Sequence, residues 1–336
     1  MEYRTLGRNG IRVSPLCLGT MTFGGATDEP TSLRIAHKAF HQGINFIDTA
    51  DRYCEGRSEQ IVGKIVDGKR DQWVLATKLG NPQGDGPNAR GASRKYIPRA
   101  VEASLRRLRT DYIDILYVHH EDYLTPVPET VRALDDVVRQ GKVRYAGVSN
   151  HRAWRISQFC HVADELNVAR PAASQPCYNI ANRQAEVEEL SAACHYGLGV
   201  VSYSPLARGI LTAKYDPAQA PPCDSRVGRR DRRIMETEWR RESFEVSDRI
   251  RRHAEARGIT SGQFALAWVM NNALITSAIA GPRTEEQWDA YIPSLDYSFS
   301  GEDEAFVDGL VPPGHPSTPG FTDPLRPIDG RRPRSG

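Results

Sequence analysis

Eight short apolar runs recur along this chain, and segments with helical spacing separate most of them. Strands of a parallel sheet that is covered on both faces have this character. Several helical segments end on a glycine, which accepts the left-handed conformation that terminates a helix. Eight strands alternating with helices predict an α/β fold, a (β/α)8 TIM barrel. The runs are 15–18, 44–47, 73–76, 113–118, 145–148, 172–174, 199–202 and 276–280, the helical segments 32–41, 94–109, 129–139, 153–166 and 183–196, and the glycines Gly43, Gly141 and Gly197.

The glycines after the first run argue against the other common nucleotide-binding architecture. That run leads into Gly19-Thr20-Met21-Thr22-Phe23-Gly24-Gly25. This segment lacks the G-x-G-x-x-G spacing, and no helical pattern follows it closely. A barrel is therefore favoured over a doubly wound sheet of the Rossmann type.

Composition limits the size of the fold and the class of partner. The chain has 336 residues, 39% of them hydrophobic and 26% charged, which suffices for one large barrel or two ordinary domains. Because no repeat or linker divides it, we expect one domain over residues 1–336. The 44 basic and 42 acidic residues are interspersed except for a basic cluster at 331–334, so we expect no nucleic-acid partner.

Cysteine spacing and apolar run length indicate the cellular setting. The six cysteines lie far apart without a C-x-x-C pair, so we expect neither a zinc site nor a disulfide scaffold. The first residues lack a basic stretch followed by an apolar one, and no apolar run approaches about 18 residues. We expect a cytoplasmic protein that is neither exported nor inserted in a membrane.

Three segments depart from the pattern of strands and helices. They are 81–92, 206 to about 233, and a tail from 311 that is dense in proline and glycine. Long loops in a compact domain are often lids or binding loops. Because they follow predicted elements of the barrel, we expect them over its carboxyl-terminal face. For the last residues, from about Ile328, disorder is an equal alternative.

Four residues suited to carbonyl reduction follow three of the apolar runs. Asp48 comes just past the second run with Tyr53 one loop later, Lys78 just past the third, and His119 just past the fourth. In a (β/α)8 barrel the strand ends open onto one face, which carries the chemistry. Each residue alone is more typical of packing, turns or the surface. Their joint placement at successive strand ends favours a shared site.

Carbonyl reduction requires a hydride carrier and an acid beside the carbonyl oxygen. Tyr53 is the candidate acid, and its ordinary pKa of about 10 is poorly matched to neutral pH. A Lys78 ammonium a few ångströms away would lower that pKa. Asp48 would keep the lysine charged and oriented, and a neutral His119 would donate a hydrogen bond to the substrate oxygen.

The segment His119-His120-Glu121-Asp122 also offers metal-ligating side chains. Adjacent strand residues point to opposite faces, so the two histidines would not both face one ion. No third histidine stands at a suitable spacing. We expect no metal site.

The remaining strand ends carry groups suited to a coenzyme. Ser149, Asn150 and Gln175 offer hydroxyl and amide groups that could grip a carboxamide, and Tyr203 could stack on a flat ring. Phosphate sites in barrels commonly use the loops after strands seven and eight. The residues in those loops are Ser204, Leu206, Arg208, Gly209, Gly281 and Arg283.

A helix start after the eighth run would add an anion site. Thr284 and Gln287 have the spacing of a capping box, so a helix would begin directly after Arg283. Helix amino termini and arginine side chains both attract anions. A capped helix with an exposed arginine is the alternative.

From residue 3 to about 290, the chain resembles the aldo-keto reductases. Its segment Asp48-Thr49-Ala50-Asp51-Arg52-Tyr53, followed by Ser58-Glu59, matches the family signature D-T-A-x-x-Y…S-E. Other family segments follow in the family's order: 3–14 with 18–21, Ala76-Thr77-Lys78, 111–114 leading to His119, Gly147-Val148-Ser149-Asn150, Tyr203-Ser204-Pro205-Leu206 and Gly281-Pro282-Arg283-Thr284.

The resemblance implies a barrel with an N-terminal β-hairpin that binds NADPH in extended form. It implies Tyr53 as the acid, His119 as the group that orients the carbonyl, and Lys78 with Asp48 as the pair that tunes Tyr53. It also implies that Arg283 meets the 2′-phosphate, which favours NADP over NAD. The expected coenzyme-binding residues are Gly19, Thr20, Met21, Ser149, Asn150, Gln175, Tyr203, Ser204, Leu206, Arg208, Gly209, Gly281, Arg283 and Gln287.

Two positions depart from the family pattern. Cys54 stands where the family usually has glycine, and Tyr291 stands where many members have an asparagine that holds the adenine. We expect the long loops at 81–92 and 206–233 to shape the substrate pocket. Aromatic and sulfur side chains expected there are Met21, Phe23, Trp154 and Trp239.

Three functions remain open on the sequence. The first is an NADPH-dependent reductase of aldehydes or ketones. The second is a nucleotide-binding auxiliary or sensor subunit, because the family resemblance extends to auxiliary channel subunits. The third is a Schiff-base lyase that uses Lys78, although such a lysine works as a neutral amine and Asp48 would keep it charged. The physiological carbonyl, the direction of the reaction and the oligomeric state stay open.

Overall fold

The computed structural model describes residues 1–328, and within them eight parallel strands close into one barrel. Each predicted apolar run overlaps one of these strands, so the predicted (β/α)8 architecture is confirmed. The barrel strands are β3 (Leu16–Gly19), β4 (Phe46–Asp48), β5 (Val74–Leu79), β6 (Ile113–Val118), β7 (Val143–Ser149), β8 (Ala173–Gln175), β9 (Gly199–Tyr203) and β10 (Ile275–Ala280). Two short strands precede them in the chain, β1 (Arg4–Thr5) and β2 (Arg12–Val13).

The barrel closes between its first and last strands. Strands β3 to β9 pair in chain order, and β10 pairs with both β9 and β3. Strands β1 and β2 form an antiparallel hairpin that precedes the barrel, which confirms the expected N-terminal hairpin. Leu6 and Val13 from this hairpin region are fully buried with the barrel interior, and Leu6 lies against Gly199 at the start of β9. The hairpin therefore covers the amino-terminal end of the barrel.

Both faces of the barrel sheet are covered, which explains why the strands read as continuous apolar runs. Along β6, Ile115 and Tyr117 belong to a cluster inside the barrel. Leu116 and Val118 alternate with them and pack in the larger core between the strands and the helices. A period of two residues between the faces is the geometry of any strand. Apolar residues are consequently required on both faces of β6.

Helices connect the strands and cover the outside of the barrel. The helices in the described residues are α1 (Glu29–His41), α2 (Arg57–Val66), α3 (Tyr96–Leu108), α4 (Val127–Arg139), α5 (Ala153–Glu165), α6 (Glu189–Tyr196), α7 (Arg232–Thr237), α8 (Arg241–Glu255), α9 (Ser261–Asn271), α10 (Glu285–Tyr291) and α11 (Gly301–Leu310). The predicted terminating glycines are confirmed, because Gly43, Gly141 and Gly197 have φ angles of 84°, 74° and 77°.

One predicted helix is wrong in part. The segment 183–196 was expected to be continuous, but it contains a short 3₁₀ helix at Gln184–Glu186 and then α6. Glu188 separates the two with a φ of −146° and a ψ of −32°, which is not helical. Helices α2, α7, α8, α9 and α11 lie outside the segments for which a helix was predicted, whereas α10 follows the helix start predicted after Arg283.

The predicted irregular segments differ in what they do. The segment from 206 to 231 is irregular apart from a short 3₁₀ helix at Ala207–Thr212, and it passes over the carboxyl-terminal face. Residues 311–328 form no helix or strand longer than one bridge, and they also reach that face. By contrast, Asn81 is the member of 81–92 that reaches the cavity there. The expected disorder after about Ile328 concerns residues outside those described.

None of the helices described within residues 1–328 combines the length and the apolar character needed to cross a bilayer.

Close packing of α2 on α3 makes Gly63 a test of the outer core. A Cβ atom on Gly63 would lie 2.6 Å from the carbonyl oxygen of Leu108. Gly63→Ala should lower the free energy of unfolding by about 1–3 kcal/mol, because backbone must shift to admit the methyl group. Gly309→Ala in α11 is the matched control, since nothing lies within 4 Å of the added carbon. Urea unfolding measures both, and equal stability of the two variants would contradict this packing.

Candidate active site

Three polar side chains enter the barrel because they share the inward face of their strands. Asp48, Lys78 and Gln175 are all buried. Side chains two positions apart on a strand point to the same face. The residues two positions earlier, Phe46, Ala76 and Ala173, all belong to the cluster inside the barrel.

The structure corrects the positions of two of these residues along their strands. Asp48 and Lys78 were expected just past their strands, but they lie within β4 and β5, where Asp48 is in register with Ala76 and Lys78 with Tyr117. Pairing with the neighbouring strand extends to these polar residues because their side chains find partners inside the barrel. His119 follows β6 directly.

Lys78 is the centre of a hydrogen-bonded group. Its ammonium donates to Asp48 Oδ1, to the carbonyl oxygen of Thr49 at 2.7 Å and to the Tyr53 hydroxyl at 3.1 Å. On the other side, Gln175 Nε2 donates to Asp48 Oδ2 at 3.0 Å. The structure therefore brings the predicted Asp48, Lys78 and Tyr53 into one chain of contacts.

Burial and charge act in opposite directions on the Tyr53 phenol. Burial raises the pKa of Tyr53, and the Lys78 ammonium lowers it without overcoming burial, so the pKa lies above its ordinary value. Lys78 therefore acts on this pKa in the expected direction, but burial outweighs its effect and Asp48 adds to the rise. A raised pKa keeps the phenol protonated, which a proton donor requires.

Lys78 keeps its charge despite its burial. Burial alone would lower the pKa of Lys78, but the neighbouring Asp48 and Tyr53 raise it by more. The ammonium is consequently a permanent partner of the Tyr53 oxygen.

His119 lies beside Tyr53 as a neutral ring. The two ring centroids are 6.0 Å apart in an edge-to-face arrangement. Burial, followed by the charge of Lys78, holds the pKa of His119 well below its ordinary value. Asn81 Nδ2 lies 2.9 Å from His119 Nδ1 and donates to it, so the neutral ring carries its proton on Nε2.

His119 and His120 were expected to point to opposite faces, but they lie on the same side of the barrel end. The rings of His119 and His120 stack with centroids 4.7 Å apart and planes at 1°, and both line the same cavity. The alternation of strand faces does not apply to them because β6 ends at Val118. Within residues 1–328, no group of three or more histidine, cysteine or acidic side chains is arranged to hold a metal ion.

A cavity of about 880 Å³ opens above these residues on the carboxyl-terminal face. Tyr53 and His119 line it at one end, while Lys78 lies behind Tyr53 at 1% exposure. All of the expected coenzyme-binding residues line it as well, namely Gly19, Thr20, Met21, Ser149, Asn150, Gln175, Tyr203, Ser204, Leu206, Arg208, Gly209, Gly281, Arg283 and Gln287.

Basic side chains gather at the opposite end of the cavity. Lys214, Arg226 and Arg283 line it there. Burial, followed by the nearby charges of Arg283 and Arg226, lowers the pKa of Lys214 to about 8. Sequence reasoning missed Lys214 and Arg226, because they lie in the irregular segment after β9 and belong to no motif.

The tail brings a further unpredicted residue into the cavity. Arg326 donates to the Tyr203 hydroxyl at 2.7 Å and to Asn150 Oδ1. Tyr203 also donates to Asn150 Oδ1, at 2.7 Å. A composition dense in proline and glycine indicated an irregular tail, but it carried no signal for this contact.

Of the four side chains expected to shape the substrate pocket, one lines the cavity and three do not. Met21 lines the cavity. Phe23 is fully buried in the outer core instead, and Trp239 packs against Tyr215 and Phe244. Trp154 is 51% exposed beside Tyr123 and does not line the cavity.

The two departures from the family pattern have different surroundings. Cys54 has a φ of 49°, in the left-handed region that favours glycine, and its thiol lies 3.4 Å from the carbonyl oxygen of Met21. Tyr291 lines the basic end of the cavity, and burial raises its pKa to about 12.

Helix α10 begins as expected, with one difference in its cap. Thr284 accepts from the Gln287 backbone N–H at 3.3 Å, as a cap does. The Gln287 side chain accepts from the Arg283 N–H at 2.8 Å, where the predicted capping box would have used the Thr284 N–H. This contact ties the backbone of Arg283 to the first turn of the helix.

Asp51 is a buried acid behind the Tyr53 loop. It is 1% exposed, and no hydrogen bond of ordinary geometry reaches either of its carboxylate oxygens within the described part of the chain, although the Gln83 side chain lies close enough to lower its pKa. Burial, followed by the neighbouring carboxylate of Glu59, raises the pKa of Asp51 to about 7. Glu59 itself accepts from Thr77 and from Arg107, each at 2.6 Å.

Comparison with known proteins shows one family over most of the chain. A family described as the aldo/keto reductase family matches residues 15–311. The uncharacterized oxidoreductase YrpG of Bacillus subtilis (strain 168) is 39% identical over 330 residues, which cover 95% of this chain and 98% of that protein.

Two plant proteins are similar over nearly the same length. Each is described as a probable voltage-gated potassium channel subunit beta. The protein of Arabidopsis thaliana is 36% identical over 309 residues, which cover 88% of this chain and 92% of that protein. The protein of Oryza sativa subsp. japonica is 36% identical over 302 residues, with the same coverage of 88% and 92%.

The raised pKa of Asp51 predicts how its removal affects stability. In the unfolded chain this carboxyl titrates at about 3.9, and in the folded protein at about 7. Between these values the folded state holds the proton more tightly, so this residue destabilises the fold as pH rises. Asp51→Asn should raise the free energy of unfolding at pH 8 by about 1–3 kcal/mol and leave it unchanged near pH 4. Denaturant unfolding across pH measures this, with Asp67→Asn at an exposed position as control. A pH-independent difference would contradict the buried acid.

Proposed function

This chain belongs to the aldo/keto reductase family, and from that premise we propose that it is an NADPH-dependent reductase of aldehydes or ketones. One observation carries the proposal. The Tyr53 hydroxyl is 3.1 Å from the ammonium of Lys78, which Asp48 holds charged, at the end of the cavity that His119 lines. A protonated phenol beside a permanent cation suits an acid that delivers a proton to a carbonyl oxygen.

The residues divide the work of the reaction. NADPH, when bound, supplies the hydride that forms the new C–H bond. Tyr53 gives its proton to the carbonyl oxygen, and the adjacent Lys78 ammonium stabilises the phenolate that remains. The Nε2–H of neutral His119 donates a hydrogen bond to the same oxygen, which holds the carbonyl toward Tyr53.

The far end of the cavity fits the phosphates of a dinucleotide. Three cations, Lys214, Arg226 and Arg283, line it there, and burial of Lys214, followed by the charges of Arg283 and Arg226, lowers the pKa of Lys214 to about 8. Bound phosphate groups would relieve this repulsion between like charges. Arg283, 14% exposed beside α10, is the candidate for the 2′-phosphate that distinguishes NADPH from NADH.

The nicotinamide end fits the groups gathered beside Tyr53. Ser149, Asn150 and Gln175 offer hydroxyl and amide groups for a carboxamide, and Tyr203 offers a ring for stacking. Gly19, Thr20 and Met21 lie at the end of β3 on the opposite wall. Residues 204–209 lead from Tyr203 toward the basic end, along the path of a dinucleotide that binds in extended form.

The first experiment is a titration of the purified protein with NADPH and NADH by fluorescence. It is followed by NADPH consumption with a panel of aromatic and aliphatic aldehydes and ketones. We expect NADPH to bind more tightly than NADH and at least one carbonyl compound to be turned over. Absence of NADPH binding would refute the proposal.

A second candidate function rests on the two plant relatives. Both are described as probable potassium channel beta subunits and match 88% of this chain. We propose as the alternative a nucleotide-binding auxiliary or sensor subunit with little turnover. Tight NADPH binding without consumption across the whole panel would favour it over the reductase.

Loss of the Tyr53 hydroxyl tests the assigned acid. Tyr53→Phe should lower kcat at least a hundredfold, because general acid catalysis contributes about 10²- to 10⁴-fold. Its NADPH affinity should stay near that of the wild type, since the substitution retains the ring. Steady-state kinetics and titration measure the two effects. Turnover equal to that of the wild type would remove Tyr53 from its role.

Loss of the Arg283 guanidinium tests the 2′-phosphate contact. Arg283→Ala should weaken NADPH binding about tenfold or more while NADH binding changes little, because a charge-assisted contact contributes about 1.5–3 kcal/mol. Arg249→Ala, at an exposed position on α8, is the matched control. An equal loss of affinity for both coenzymes would refute discrimination by Arg283.

A further inference from the structure

Residues 311–328, which we call the tail strap, cross the cavity and are tied down from several sides. Arg233 NH2 donates to both carboxylate oxygens of Asp323, at 2.7 and 2.9 Å. The Arg240 guanidinium lies over the ring of Phe321, 3.7 Å from its centroid. These contacts hold the segment that carries Arg326 against the mouth of the barrel.

From this strap the Arg326 side chain reaches the nicotinamide end of the cavity. Its guanidinium donates to Asn150 Oδ1 and to the Tyr203 hydroxyl. About a quarter of the side chain, 26%, is exposed. The carboxylate of Glu189 is 3.8 Å away, at the outer limit of an ion pair. Arg326 is therefore held at this position chiefly by two neutral acceptors.

Asn150 has no hydrogen-bonding capacity left in this arrangement. A side-chain amide has two N–H donors and an oxygen with two lone pairs. Asn150 Nδ2 donates to the His119 carbonyl oxygen at 2.8 Å and to Ser149 Oγ at 3.0 Å. Asn150 Oδ1 accepts from the Tyr203 hydroxyl and from Arg326. A bound carboxamide could gain a bond to Asn150 only by displacing one of these partners.

Arg326 is the partner that can leave. His119, Ser149 and Tyr203 lie at the ends of barrel strands, whereas Arg326 lies on an irregular segment. We propose that the Arg326 guanidinium occupies Asn150 Oδ1, the acceptor that the coenzyme carboxamide uses, and this inference rests on the proposed function. The tail strap must withdraw Arg326 from Asn150 before NADPH binds fully, so the strap sets the coenzyme affinity.

The structure offers a place for the withdrawn side chain. A second cavity of about 290 Å³ lies under the tail strap, and Arg326 lines both cavities. Glu189 and Glu238 line the second cavity, and Glu238 Oε2 is buried without a hydrogen-bond partner in the described chain. A guanidinium that turns away from Asn150 would meet acidic groups there.

Arg326→Met tests the competition. Only molecules in which Arg326 has left Asn150 can bind NADPH fully. If these molecules are a small fraction of the protein, the apparent Kd equals the intrinsic Kd divided by that fraction. Removal of the guanidinium should therefore tighten NADPH binding about tenfold in a fluorescence titration. Simple electrostatics predicts the opposite, because the variant loses a cation near a polyanionic ligand. Unchanged or weaker binding by Arg326→Met would overturn the proposal.

A fragment of the coenzyme locates the effect. 2′-Phospho-ADP-ribose lacks the nicotinamide, so it should bind the wild type and Arg326→Met equally. Equal tightening of the fragment and of NADPH would refute competition at Asn150. Arg249→Met, an exposed arginine of α8, should leave both affinities unchanged.

Asp323→Asn loosens the strap without removing Arg326. It weakens the tie to Arg233, and NADPH should bind more tightly than to the wild type, though by less than with Arg326→Met. Far-UV circular dichroism checks that each variant is folded. If the wild type binds no NADPH, the proposed function fails and this inference with it. If the wild type binds NADPH and Arg326→Met binds it no more tightly, this inference alone fails.

Discussion

The buried ion pair between Lys78 and Asp48 is the interaction on which the rest of the site depends. Breaking a buried pair by removal of one partner costs about 3–5 kcal/mol, because a charge is left without compensation. Here each N–H of the ammonium has an acceptor: Asp48, the Thr49 carbonyl and Tyr53. A lysine engaged in this way has no free amine for Schiff-base chemistry. Asp48 and the Thr49 carbonyl fix the position of the ammonium, and its third contact then holds the Tyr53 oxygen at a defined point of the cavity.

The two ends of the cavity differ in how their charged side chains are arranged. At the Tyr53 end, the charges of Asp48 and Lys78 offset each other inside the barrel, neutral His119 adds none, and the Arg326 cation enters from the irregular tail. At the other end, Lys214 and Arg226 come from an irregular segment and repel Arg283. Reactive groups thus lie on or next to strands, where register holds them. The cations lie on loops, which can adapt to an anion.

The sequence predicted the parts of the fold that follow from local periodicity. Eight apolar runs indicated the barrel strands, because sheets that are covered on both faces require such runs. Asp48, Tyr53, Lys78 and His119 could be grouped from their positions in the chain because strand ends meet on one face. Arg326 could not, because its contact with Asn150 joins residues 176 apart through an irregular tail. The net pKa of Tyr53 was also beyond reach, since it depends on burial that no motif encodes.

Closure of the barrel between β3 and β10 has a consequence for the newly made chain. Leu16 to Leu18 pair with residues 278–280, and Arg4 donates to the carbonyl oxygen of Ile275 at 3.0 Å. These contacts cannot form until most of the polypeptide has left the ribosome. Until then, one side of β3 exposes unpaired backbone N–H and C=O groups, which other chains can pair with. The edge of β3 therefore needs protection from pairing with other chains during synthesis, whereas in the finished barrel β10 covers it.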